Sequence, residues 1–143
     1  MKGMQEGFNV RAYGILKSPN GREVMVIEET VFGKLLVKFP GGGVDAFEGP
    51  GHALIREFKE ELDVDVELGE VFYVSPNFHK SFFRPQQVIG IYWEVKLKAG
   101  EPKVSLANYR FYWEPLQSID PSSFTHPMDQ EVVRKLMADC GRS

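Results

Sequence analysis

Three glutamates carry the first chemical signal in this chain. Glu57, Glu60 and Glu61 fall at i, i+3 and i+4 of a segment in which Leu54, Phe58 and Leu62 recur every four residues, the period of one helix face. At about 100° per residue, the three carboxylates share an arc beside that apolar stripe. Like charges at this spacing destabilise a helix by roughly 0.2–0.5 kcal/mol per pair. Two of them also stand toward the C-terminal end, where the helix dipole disfavours anions. A bound cation relieves both costs. Carboxylate oxygens are hard ligands, so the expected ion is Mg2+ or Mn2+ rather than zinc, with positions left open for water and substrate phosphates. Taken alone, an acidic helical stripe is most often a solvated face, and the wider spacing must decide.

Reading forward from Gly42, five residues lead to Glu48, seven more to Arg56-Glu57, and then come Phe58-Lys59-Glu60-Glu61-Leu62-Asp63-Val64. This pattern resembles the Nudix box, Gly-x5-Glu-x7-Arg-Glu-U-x-Glu-Glu-x-Gly-U with U apolar. All six charged or glycine landmarks before the last match, which at about 7% usage per residue type happens by chance roughly once in 10⁵ chains of this length. Phe58 and Val64 supply the apolar positions. Asp63 stands where the family has its closing Gly. That residue normally ends the helix in a left-handed conformation, which Asp also visits. The expected loss is about 1 kcal/mol of stability at most, with no loss of chemistry. The Phe39-Pro40-Gly41-Gly42 lead-in resembles the family as well.

The resemblance implies an α+β Nudix fold, a mixed β-sheet sandwiched between helices, with the box forming a loop–helix–loop. It implies hydrolysis of a nucleoside diphosphate linked to another moiety by in-line attack of water, with Mg2+ or Mn2+ as cofactor. Glu57, Glu60 and Glu61 would hold the metal together with the backbone carbonyl of Gly41, and Arg56 would orient Glu57 by an ion pair. Glu48 would ligate indirectly or hold the loop, so the catalytic group is Glu48, Arg56, Glu57 and Glu60. Which glutamate is the general base stays open. Many relatives place a further acid ahead of the last strand, but the matching slots here are Ala107 and Arg110. Asn108, Glu94 or Glu101 would have to substitute, or the box would act alone. Homodimers are common in the family, and nothing here selects an interface. The rival function is a nucleotide-sensing domain that binds without cleaving. The intact set of glutamates favours catalysis.

Outside the box the signals are weaker. Phe82, Phe83 and Arg84 sit in a loop flanked by Pro76 and Pro85. A base could stack on either ring while Arg84 contacts phosphate, or the aromatics could simply pin the loop to the core. Lys34 and Lys38 flank a strand, and Lys38 is a candidate phosphate contact, although a solvated lysine is the commoner case. His52 lies roughly 140° from Glu57 around the helix, a poor position for a ligand. His126, before Pro127, marks the start of a helix. Tyr13, Tyr92 and Trp113 are expected in the core or on a sheet face, and Cys140 has no base beside it to make it a nucleophile.

These residues need a scaffold. Strands are expected at 8–17, 23–29, 34–39, 64–74, 86–97 and 109–115, and helices at 50–62 and 127–139. The Ser18-Pro19-Asn20-Gly21 turn should make the first two strands a hairpin, and Pro40 to Gly43 should stop the third. Along 86–97, Ile89, Ile91, Trp93, Val95 and Leu97 form a wholly apolar face and the alternate residues a mixed one. The 143 residues, 43% hydrophobic and 26% charged, suit a single globular domain over 1–143 rather than a disordered or fibrous chain. A net charge of −3 without a basic block argues against a nucleic-acid polymer as partner and for a small-molecule nucleotide substrate. The lone Cys140 and the absence of a long apolar run point to a cytoplasmic protein with no membrane partner.

Overall fold

The computed structural model describes residues 3–142. Seven strands and two α-helices follow in the order β1 (Phe8–Leu16), β2 (Glu23–Val31), β3 (Lys34–Lys38), β4 (Gly41–Gly43), α1 (Pro50–Leu62), β5 (Asp65–Val74), β6 (Gln87–Ala99), β7 (Tyr109–Pro115) and α2 (Pro127–Asp139). A four-stranded sheet has the order β4-β1-β6-β5, with β1 and β6 parallel and its other pairs antiparallel. A three-stranded antiparallel sheet has the order β3-β2-β7.

Strand alternation distributes these sheets between the helices. Ala12, Leu16, Met25 and Ile27 join Leu54, Phe58 and Leu62 of α1 in one buried cluster. Their neighbours Tyr13, Ile15, Val24 and Val26 join Val132, Val133 and Leu136 of α2 in the other. Both faces of the β layer are therefore covered, as the α+β sandwich requires. This also changes the expectation for β6. Its mixed face holds the buried Val88 and Tyr92, while Ile89 and Ile91 on the apolar face are only half-buried.

Two other expectations are corrected. β1 and β2 are not hairpin partners: after the turn, in which the Gly21 N–H donates to the Ser18 carbonyl, only Lys17 and Val24 are bridged and the strands diverge into different sheets. Each then finds better apolar partners, β1 in β6 and β2 in β7. Gly41–Gly43 does not merely stop β3 but forms an edge strand antiparallel to β1.

The box helix begins at Gly49 in an extended conformation, with Pro50 in the first turn, where its missing N–H costs nothing. It ends at Asp63, which takes φ 54° and ψ 41° and donates its N–H to the Lys59 carbonyl. The left-handed exit expected of the family's glycine is thus made by an aspartate. Among the described residues, no helix is long and apolar enough to cross a membrane.

Candidate active site

Arg56 organises the start of the site. Its Nε and Nη2 donate to the two oxygens of Glu48 at 2.9 and 2.7 Å, a bidentate pair. Nη2 also donates to the Gly43 carbonyl at 3.2 Å, and Nη1 reaches Glu57 Oε1 and Glu60 Oε2, each at 3.2 Å. Glu48 accepts the Asp45 N–H as well. The Arg56 hydrogen bonds, helped by that of Asp45, hold its carboxyl down to about 2. One guanidinium therefore ties the loop before α1 to the helix and fixes the direction of Glu57.

Glu57 and Glu61, one helical turn apart, face each other. A Cβ added at Gly42 would lie 2.7 Å from the Glu57 carboxyl carbon, so only glycine admits this carboxylate against β4. Gly41 has φ +141°, and a Cβ there would meet the Ala12 carbonyl oxygen at 2.1 Å. These glycines serve the close approach of β4 to β1 and to Glu57. Glu61 accepts the Tyr109 hydroxyl at 2.8 Å. Burial first, and then the charge of Glu57, push the Glu61 carboxyl up to about 8. Glu60 lies at the rim, its side chain 58% exposed and turned to Arg56.

The donor chemistry suits a hard divalent cation. Two facing carboxylates, one raised by burial and then by its neighbour's charge, are what an added positive charge would relieve. Among the described residues, no three carboxylate, imidazole or thiol groups stand together as a ready-made site. The fit thus rests on Glu57 and Glu61, with Glu60 turned to Arg56 at the rim.

Comparison with known proteins decides the family. The sequence matches the family model described as NUDIX domain over residues 8–139. The chain belongs to the Nudix family. It is also similar to diphosphoinositol polyphosphate phosphohydrolase 2 of Mus musculus and of Homo sapiens. Each is 26% identical over 140 residues, spanning 95% of this chain and 75% and 74% of the relative. Among solved structures it resembles a MutT protein from Methanosarcina mazei, with TM-score 0.76, 14% identity, and 97% and 99% of the two chains covered. It also resembles a MutT Nudix hydrolase from Burkholderia pseudomallei, with TM-score 0.75, 20% identity, and 91% and 98% covered.

On this Nudix scaffold, Arg56 of α1 joins Glu48, Glu57 and Glu60, Glu61 faces Glu57, and Gly41 lies on β4 next to the Gly42 that abuts Glu57. Phe82 and Phe83 line a separate cavity of about 250 Å3 with Arg11, Tyr13 and His126. Arg84 is not brought there. Its side chain is exposed and its N–H closes a turn on Ser81 Oγ, so the guanidinium in the cavity is that of Arg11. Lys38 is not solvated either: it is buried and paired with Glu29 at 2.6 Å. Its charge reaches Glu61 on one side and His126 and Asp129 on the other.

The stand-ins for an acid ahead of the last strand lie elsewhere. The Asn108 amide donates to the Thr30 carbonyl, Glu94 borders a cleft with Lys17 and Lys96, and Glu101 is exposed. Two groups beside the box were missed instead, Tyr109 and Glu29, which pair across β7 and β2. Glu29, like Glu57 and Glu61, acts on the Tyr109 hydroxyl and raises its pKa, although burial is the main cause.

Proposed function

We propose that this Nudix hydrolase cleaves a phosphoanhydride bond in a nucleoside diphosphate linked to another moiety, using Mg2+ or Mn2+. The observation that carries this is the facing pair Glu57 and Glu61, with the Glu61 carboxyl raised first by burial and then by the charge of Glu57. Such a pair costs stability unless a cation and substrate phosphates use it. The names of the relatives support cleavage of a phosphoanhydride bond. The 26%-identical proteins are phosphohydrolases of diphosphoinositol polyphosphates, and a structural neighbour from Streptococcus suis is named an ADP-ribose pyrophosphatase.

In this proposal Glu57, Glu61 and Glu60 would hold the ion with the Gly41 carbonyl. When bound, the ion neutralises charge on the phosphoryl oxygens and lowers the pKa of water. Arg56 keeps Glu57 directed inward and, through Glu48, holds the loop that brings β4 beneath it, so both are positioning residues. Tyr109 holds Glu61 in one rotamer through its hydroxyl. Water adds to phosphorus in line, the bridging P–O bond breaks, and the attacking water's proton passes to a box carboxylate. Phe82 and Phe83 line the cavity that takes the rest of the substrate, and Lys38 stands behind it, 5.9 Å from the Phe83 ring. The lone exposed Cys140 accords with a reducing, cytoplasmic setting, and the catalytic unit is one domain.

The test is a phosphate-release screen with Mg2+ and then Mn2+. Its substrates are ADP-ribose, dinucleoside polyphosphates, nucleotide sugars, and normal and 8-oxo nucleoside triphosphates. Turnover of one class, abolished by EDTA and in Glu57→Gln and Glu61→Gln, is expected. Silence throughout, with nucleotide binding retained, would move the assignment to a sensor.

A further inference from the structure

Arg11 is unusual for a charge inside a β layer. It sits on β1 opposite Gly43, and its side of the strand faces α2. The residue is only 9% exposed. Its Nε donates to the Tyr13 hydroxyl at 2.6 Å, and the Phe83 ring lies over the guanidinium at 4.0 Å. No carboxylate pairs with it among the described residues, and its two Nη groups have no protein acceptor there. Those Nη groups are not sealed in the interior; they border the cavity formed with Phe82, Phe83 and His126, where an anion would pair with them.

The surroundings are built for an anion. Lys38 Nζ lies 5.9 Å from the same Phe83 ring, so two buried cations flank one phenyl group. Burial, Lys38 and Arg11 together push the His126 imidazole down to about 4, so it is neutral at pH 7. With the Lys38 charge paired to Glu29, Arg11 is a cation at the cavity wall with no carboxylate of its own among the described residues. Asp129 is fully buried on the Tyr92 hydroxyl at 2.5 Å, and Glu131 is taken up by Tyr73, Ser75, Asn77 and His79. The cavity, about 250 Å3, falls just below the roughly 300 Å3 of the smallest whole-ligand sites. It has room for one end of a substrate. The glycine edge strand β4 separates it from Glu57: Gly43 stands beside the Arg11 guanidinium and Gly42 beside the Glu57 carboxyl.

We infer that Arg11 determines specificity, its guanidinium receiving a phosphate that the substrate carries in addition to the pyrophosphate being cut. The preferred substrates are then pyrophosphate compounds with a further phosphate on one moiety, and Phe83 closes over the group that Arg11 holds. This rests on the pyrophosphohydrolase reading for where the scissile bond lies, but anion binding at Arg11 does not need turnover.

The experiment uses matched pairs differing by one phosphate: 2′-phospho-ADP-ribose against ADP-ribose, and coenzyme A against its dephospho form. Affinities are measured without metal, and kcat/KM with Mg2+. The wild type should prefer the phosphorylated member of at least one pair by about tenfold or more, the size of one lost charged hydrogen bond. Arg11→Gln should bring that ratio near one, and Arg11→Lys should fall between. Should Arg11→Gln not fold, the Arg11 Nε–H resonance of the wild-type protein, titrated with the preferred ligand, must shift. Ratios near one for both pairs in the wild type, a preference kept in Arg11→Gln, or an unmoved Arg11 resonance overturn the assignment. An inactive protein that still shows the affinity preference sinks the hydrolase reading and upholds Arg11.

Discussion

Single side chains in this site are held at protonation states that water would not give them, and the pH dependence of stability follows. Burial first raises Glu61 from 4.5 to about 8 and Asp129 from 3.8 to about 7, while His126 falls from 6.5 to about 4, also by burial first. Between its unfolded and folded values each carboxyl holds more proton in the folded state, so stability falls as pH rises through that window. For His126 the sign is reversed: the unfolded chain binds more proton between about 4 and 6.5, and stability rises there. Above 6.5 only the two carboxyls of this trio still titrate. The metal-free protein should therefore lose thermal stability between pH 6.5 and 8, and Glu61→Gln should flatten the upper part of that decline. Denaturation curves in EDTA across this range check it, and an unchanged slope in the variant would remove Glu61 as its source. Arg56→Lys keeps the charge but cannot span Glu48, Glu57, Glu60 and the Gly43 carbonyl together. Affinity for Mn2+ by calorimetry should fall about 10–100-fold, the usual cost of losing a group that orients a ligand. Wild-type affinity would make Arg56 merely structural.

The elements that carry these side chains have their own fasteners. On α2, Glu131 accepts from Tyr73 Oη at 3.2 Å, Ser75 Oγ at 3.1 Å and Asn77 Nδ2 at 2.6 Å, and lies 3.0 Å from His79 Nε2. It ties the segment between β5 and β6 to α2, and with it the turn that carries Phe82 and Phe83. Hydrogen bonds to a charged group are worth about 1.5–3 kcal/mol each in well-made cases. Glu131→Ala should therefore destabilise the protein by about 2 kcal/mol and speed hydrogen exchange at the Val88 N–H, which donates to the His79 carbonyl. Exchange as slow as in the wild type would show that the loop is held by its aromatics alone. At the other end of the box helix, Asp63→Gly relieves the left-handed backbone but loses the exposed Lys59 pair at 3.4 Å. A gain of about 0.5 kcal/mol is expected, read as an increase of about 2 °C in Tm. A lower Tm would mean that the lysine pair outweighs the backbone relief.

Across the whole molecule, the cation and the fold are linked. A ligand that binds only the folded chain adds RT ln(1 + [L]/Kd), about 2.7 kcal/mol at a hundredfold excess over Kd. Saturating Mn2+ should then raise the wild-type Tm by several degrees and leave Glu57→Gln almost unmoved. Equal shifts in both would place the ion elsewhere. The sequence by itself determined the local elements, because helix and strand periods are written in neighbouring residues: α1 spans Pro50–Leu62 and α2 Pro127–Asp139 in both accounts. It also determined the box, whose chemistry is packed into one loop and one helix. Tertiary structure alone decided that β1 and β2 part into different sheets, since strand partners are chosen by distant apolar surfaces. It alone brought Arg11 of β1, Lys38 of β3 and His126 before α2 beneath one loop, and left Arg84 outside. No sequence spacing encodes such meetings, because residues far apart in the chain are joined only when the two faces of the β layer are buried.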